Sequence, residues 1–227
     1  MFEILIIRHG DPDYENDCLT EKGKKDVCLL AERLKDRRID EIFASPMGRA
    51  RQTAEATAEI KGLEITTLDF LHEFIGKIKY PDGDTEFPWH INGDFYSANF
   101  EKLTSPDFYK NEEFFDEEFR TRFENTVSGL DAFLENYGFE KTVGGYKNEN
   151  APDKTVAFFC HGGIGVLLMS LLCSLPVMKA WPHFFLNTSS VTEIDFVKSG
   201  SVFYPVCTLF GDDTHLSSSN KNFIAVN

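Results

Sequence analysis

The chain has 227 residues, 42% of them hydrophobic and 26% charged. That is enough apolar material for a sizeable core, and it excludes global disorder. The formal net charge of -14 disfavours nucleic acid as a partner.

The charge is unevenly spread. Residues 82–140 hold 15 acidic against 4 basic side chains, whereas the first 60 hold 13 against 10. No stretch is long and apolar enough to span a bilayer, so no membrane partner is expected. The N-terminus enters an apolar run directly, which argues against a secretory signal. Five scattered cysteines, odd in number and without CxxC spacing, read as reduced thiols in a cytoplasmic protein.

In chain order, Phe2 to Ile7 reads as a buried strand that stops at Arg8-His9-Gly10. Thr20 is placed to cap a helix running through Val27, Leu30 and Leu34. Asp40 to Ala44 is a short second strand. Ser45-Pro46 then predicts a helix start, with Ser45 as N-cap and Pro46 at the first helical position. Leu63–Leu68 is a third strand and Thr155–Cys160 a fourth, the latter ending at His161-Gly162-Gly163. Ile164–Leu175 is apolar nearly all round, the pattern of a deeply buried helix. Val191–Val197 and Val202–Thr208 form a late hairpin about Ser199-Gly200-Ser201.

Strands alternating with helices predict a three-layer α/β/α fold with a mainly parallel sheet and helices on both faces. The stretch 77–150 breaks the rhythm. From Phe87 to Phe123 there are 11 aromatics in 37 residues, and Phe115, Phe119 and Phe123 recur every four. We read 77–110 as a cap-like insertion within one domain spanning 1–227, 111–137 as a helix returning to the main layer, and Gly144 to Pro152 as a turn-rich surface loop.

Chemistry-bearing residues follow strands, as they do where open α/β sheets bind ligands at their carboxyl ends. A cation and an imidazole ending a buried strand are costly unless compensated, and a bound phosphate compensates both. Arg8 with His9, and Arg49 with His161, would converge on such a group.

Leu5-Ile6-Ile7-Arg8-His9-Gly10, Ser45-Pro46-Met47-Gly48-Arg49-Ala50 and Cys160-His161-Gly162-Gly163 together resemble the histidine phosphatase superfamily, which includes phosphoglycerate mutases and small-molecule phosphatases. The resemblance implies that His9 is the nucleophile and forms a phosphohistidine. It implies that Arg8 and Arg49 clamp phosphate oxygens, and that His161 hydrogen-bonds the transferring group. Leu71-His72-Glu73-Phe74 is similar to the segment carrying the acid/base glutamate, which makes Glu73 the candidate. No metal and no cofactor is implied, because the arginines and His161 supply the positive charge. The chain departs from the mutase-type pattern at Glu15, where those members carry an asparagine; Asn16 is one step out of register.

The expected activity is metal-independent hydrolysis of a small monophosphorylated metabolite with a neutral or cationic remainder. Mutase-type phosphoryl transfer is the first alternative. A phosphoprotein phosphatase or a module that binds phosphorylated ligands is the second, and exposed aromatics leave a homodimer open. Read singly, each residue has a plainer role: Arg8 a strand-end surface residue, His9 a satisfied core histidine, His161 a helix cap. Arg51 reads as the partner of a helix carboxylate, and Asp82, Asp84 and Glu86 rival Glu73 as the acid. Trp89, His90 and Tyr96 are candidates for substrate contact, and His215 for a place near the site.

Overall fold

A computed structural model describes residues 1–216. From the N-terminus, β1 (Phe2–Arg8) leads into a tight hairpin of β2 (Pro12–Asp13) and β3 (Cys18–Leu19), then α1 (Glu21–Leu34). Next come β4 (Glu41–Ala44), α2 (Gly48–Lys61) and β5 (Ile65–Thr67). The middle of the chain holds a small hairpin, β6 (Ile78–Lys79) and β7 (Thr85–Glu86), and short helices α3 (Gly93–Ala98) and α4 (Phe100–Leu103). The long α5 (Glu117–Asn136), β8 (Glu140–Thr142), β9 (Gly145–Lys147) and β10 (Lys154–Cys160) follow. The chain continues through α6 (Gly162–Leu172), α7 (Val177–Ala180), β11 (Val191–Ser199) and β12 (Val202–Asp212).

Eight strands make one sheet in the order β5-β4-β10-β1-β11-β12-β9-β8. The first four are mutually parallel, and every pairing from β1·β11 outward is antiparallel. The sheet is therefore mixed, with its parallel half carrying the strands that end in chemistry-bearing residues. The antiparallel half comes from the expected hairpin, extended by β8 and β9. Residues 144–147, expected as surface loop, form part of the second pair because Gly144 takes a φ of 78° and turns the chain back.

Period-two alternation divides β1 between two apolar layers. Leu5 and Ile7 pack with Leu30 and Leu34 of α1 and with Ala54 and Ala58 of α2. Phe2, Ile4 and Ile6 join the layer built by α5, α6 and the aromatics of 108–123. Helices thus cover both faces, as the strand–helix alternation predicts.

Thr20 caps α1 as expected, its Oγ1 accepting from Gly23 N at 3.0 Å. The second helix differs from expectation. It starts at Gly48, not at Pro46, and its N-cap position is Met47. The Ser45 hydroxyl is instead engaged by His161 and by Met47 N. The apolar helix runs Gly162–Leu172, starting two residues and ending three residues earlier than the expected Ile164–Leu175. The helix expected over 111–137 begins only at Glu117, where the Asp116 carboxylate accepts from Phe119 N at 2.8 Å. Phe114 and Phe115 precede it, yet both are buried. Residues 77–110 pack onto the α5–α7 side: Ile78, Leu103 and Phe108 enter the large core, and the Tyr96 hydroxyl donates to Met178 O at 3.0 Å.

Candidate active site

Parallel pairing of β1 with β10 sets Arg8 opposite Cys160, so the next residues, His9 and His161, emerge side by side. His9 N donates to Cys160 O at 2.9 Å, which holds the two strand ends together. The imidazole rings lie 5.1 Å apart and are 1% and 0% exposed.

The His9 ring has one tautomer available to it. Nδ1 sits 2.7 Å from Gly10 O, and a carbonyl only accepts, so Nδ1 carries the proton. The lone pair is then on Nε2. Burial and, next, the charge of Arg8 depress the His9 pKa to about 3. The ring is neutral at ordinary pH and is competent as a nucleophile.

Two arginines flank it. Arg8 donates from Nη1 to Leu186 O and lies 5.4 Å from the centre of the Phe185 ring. Arg49, in the first turn of α2, is 5% exposed. Its Nη1 donates to Asp17 Oδ1 at 2.5 Å, and its guanidinium carbon lies 5.3 Å from the Tyr14 ring centre. In both arginines Nε is buried without a hydrogen-bond partner among the described residues, and His161 Nδ1 is too. Three unpartnered nitrogens on neighbouring groups are a chemistry that suits an oxygen-rich anion.

Asp17 does more than neutralise. Its Oδ2 accepts from Gly48 N at 2.7 Å, so it closes the start of α2, the task expected of Ser45. Asp17 holds a φ of 47° in the β2–β3 turn, which brings its carboxylate over. A side chain at position 48 would collide with the Asp17 backbone oxygen, so glycine is required there.

Ser45 is released to the second histidine. Its Oγ is 2.8 Å from His161 Nε2 and accepts from Met47 N at 3.2 Å. Burial, then the neighbouring His9, holds the His161 pKa well below the usual imidazole range.

Glu73 lies across the mouth of α6. Oε1 accepts from Phe74 N and Ile164 N, each at 2.9 Å, and Oε2 from Gly163 N at 3.3 Å. The N-terminus of α6 thus holds a protein carboxylate. Burial raises the Glu73 pKa against these hydrogen bonds, which lower it. Oε1 already accepts twice, so a titrating proton belongs on the weakly engaged Oε2.

Arg8, Arg49 and Glu73 all line one cleft of about 420 Å3; the buried His9 and His161 are not among its lining residues. Of the substrate-contact candidates, Trp89 and His90 line the cleft and Tyr96 does not. Asn16 bonds Asp13 instead, with Nδ2 to Oδ2 at 2.8 Å. His215 sits 3.1 Å from Arg33 of α1, away from the lining, and Arg51 faces Glu55 at 3.5 Å, as its spacing suggests. Sequence reasoning missed Asp17 and Ser45. Ser45 gave the wrong signal because serine before proline is a helix-start pattern, and Asp17 gave none. Among the described residues no cluster of three His, Cys, Asp or Glu side chains is placed to hold a metal ion.

A family model described as "Histidine phosphatase superfamily (branch 1)" matches residues 4–205. A curated relative from Photorhabdus laumondii, named "Probable phosphoglycerate mutase GpmB", is 34% identical over 74 residues, 29% of this chain and 34% of that protein. "Phosphoserine phosphatase 1" of Hydrogenobacter thermophilus is 32% identical over 82 residues, 32% of this chain and 39% of that one. The matches therefore span little more than a third of these relatives. Among solved structures, a phosphoserine phosphatase from Entamoeba histolytica, in complex with 3-phosphoglyceric acid, superposes with a TM-score of 0.62 at 21% identity. The superposition covers 95% of this chain and 100% of that one. A mycobacterial glucosyl-3-phosphoglycerate phosphatase gives 0.58 at 22% identity, covering 92% and 98%. At these identities the likeness is one of fold. No helix among the described residues is long and apolar enough to cross a membrane.

Proposed function

The chain belongs to the histidine phosphatase superfamily, and from that membership we propose that it hydrolyses phosphomonoesters through a phosphohistidine on His9, without a metal ion. The observation that carries this reading is the His9 ring itself. Its Nδ1 proton is committed to Gly10 O, which leaves the lone pair on Nε2 of a neutral ring whose charged neighbours include Arg8 and Arg49.

In the first step Nε2 attacks phosphorus as the bond to the ester oxygen breaks. Arg8, Arg49 and His161 hold the equatorial oxygens, which carry most of the charge in such a transition state. Glu73, whose protonated form burial favours, gives its proton to the departing oxygen. In the second step the Glu73 carboxylate takes a proton from water, water oxygen bonds to phosphorus, and the nitrogen–phosphorus bond breaks. Inorganic phosphate leaves and His9 is restored as the neutral ring.

The substrate in this reading is a small monophosphate whose remainder is neutral or cationic, covered by residues 77–110 as a cap. A mutase reading draws on the names of the curated relatives. A second phosphate would need further cations, and the ionisable residues lining the cleft are Arg8, Arg49, His90 and Glu73. Hydrolysis is favoured on that ground. A cytoplasmic setting fits the five unpaired cysteines.

The test is phosphate release from p-nitrophenyl phosphate in excess chelator, with wild type and His9→Ala side by side. Turnover confined to the wild type supports the reading. Turnover retained by His9→Ala refutes it.

A further inference from the structure

The mouth of the cleft is unusually apolar for a site built on two arginines. Twelve large hydrophobic side chains are exposed among the described residues, and four of them, Tyr14, Ile75, Phe184 and Phe185, line this one concavity. Single exposed apolar residues need no explanation, but several converging on one cleft do.

Phe87 and Trp89 of the lining are closely packed. Phe87 and Trp89 stack with ring planes 2° apart and centroids at 5.0 Å. Trp89 presses against Gly163 so closely that a side chain there would collide with the indole. Behind it, buried Trp181 donates from Nε1 to Gly163 O at 2.9 Å.

The charges complete the pattern. Arg8 and Arg49 belong to the phosphate seat, each with an aromatic ring over its guanidinium. Glu73 supplies no cation and, while it holds its proton, is neutral. His90 has a carboxylate of its own, with Glu86 3.8 Å away. The lining holds no further lysine or arginine for a substrate carboxylate, and the nearby Lys77 ammonium lies against the Phe87 ring, 5.2 Å from its centre.

We propose that this cleft selects phosphomonoesters whose alcohol carries a planar, uncharged, apolar group and rejects those whose alcohol carries a carboxylate, an inference that rests on the phosphatase reading of the same site. The volume of about 420 Å3 lies within the usual range of small-molecule sites. Flat apolar groups fit between aromatic walls by offset or edge contacts. A carboxylate brought into the same space would lose its hydration without gaining a partner.

The experiment compares 2-naphthylmethyl phosphate with O-phosphoserine and 3-phosphoglycerate. All three are esters of primary alcohols, so leaving-group chemistry does not decide the ranking among them. Affinities are measured by calorimetry on His9→Ala, and turnover on the wild type in excess chelator. The expected result is binding of the naphthylmethyl ester at least about tenfold tighter than either carboxylate-bearing ligand. Tyr14→Ala and Trp89→Ala, each combined with His9→Ala, reduce that preference. Phe184→Arg supplies a cation at the mouth and moves it toward phosphoserine. Tyr14 and Phe184 are exposed, so these changes test the cleft without disturbing the core.

Equal or tighter binding of phosphoserine overturns the inference, whatever the turnover. If the binding preference holds but the wild type hydrolyses none of the three, the preference stands and the hydrolytic reading falls.

Discussion

A single carboxylate, Asp17, holds both Arg49 and the helix that carries it. Oδ1 takes Arg49 Nη1 at 2.5 Å while Oδ2 takes Gly48 N at 2.7 Å. The side chain that fixes the start of α2 therefore also fixes one arm of the arginine fork, leaving Nε without a partner on another edge.

Asp17→Asn separates these two roles. Asparagine tolerates the left-handed backbone and still caps a helix, so the melting temperature should change little. The charge-assisted bond to Arg49 is lost. We expect kcat/KM to fall about tenfold and inhibition by inorganic phosphate to weaken in parallel. Unchanged kinetics would show that Arg49 needs no such restraint.

Ser45 governs which nitrogen of His161 carries a proton. For Nδ1 to donate to a phosphate oxygen, the Ser45 hydroxyl must donate to Nε2 across their 2.8 Å contact. Ser45→Ala removes that constraint. It should lower kcat by roughly tenfold, the scale of a lost outer partner to a catalytic imidazole, with a smaller change in KM. A change in KM alone would place Ser45 in binding instead.

The pH profile follows from two opposed shifts. His9 must be unprotonated, and burial with the Arg8 charge puts its pKa at about 3. Glu73 must be protonated, and burial raises its pKa. The enzyme group limiting activity on the acid side thus titrates near pH 3, while the alkaline limb belongs to Glu73. Glu73→Gln should lose the alkaline limb and lower kcat about 10²–10⁴-fold on alkyl phosphates. An aryl phosphate with a good leaving group should suffer less in the first step.

The same depressed histidines link stability to pH. Between about pH 6.5 and 3 the unfolded chain binds protons that folded His9 refuses, so stability falls as pH drops through that window. Thermal melts at pH 7 and pH 5 should show the loss, and His9→Asn should show a smaller one. An equal loss in His9→Asn would assign the effect to other groups.

The parallel half of the fold and the nearness of four candidate site residues were legible because the signals are local. Arg8, His9 and His161 each follow an apolar strand, and strand ends in α/β sheets are where ligands bind. Arg49 sits in the first turn after such a strand. The roles of Asp17 and Ser45 were not legible, because they depend on a turn and a helix meeting 31 residues apart and on a contact 116 residues apart. Ser45-Pro46 carries a strong helix-start pattern, and here tertiary demand overrides it: a buried imidazole takes the hydroxyl. Glu73 was found by its motif, but its place across the start of α6 was not. β9 was hidden because Gly144 and Gly145 read as loop until β12 supplies an edge to pair with.

The most direct test of the account is to quench the protein during turnover of a phosphomonoester and map any phosphoryl adduct by mass spectrometry. The account predicts one acid-labile, base-stable phosphoryl group, on the ring of His9, absent from His9→Ala. An adduct on any other residue, or turnover with no adduct in Glu73→Gln where its breakdown should be slowed, would contradict it.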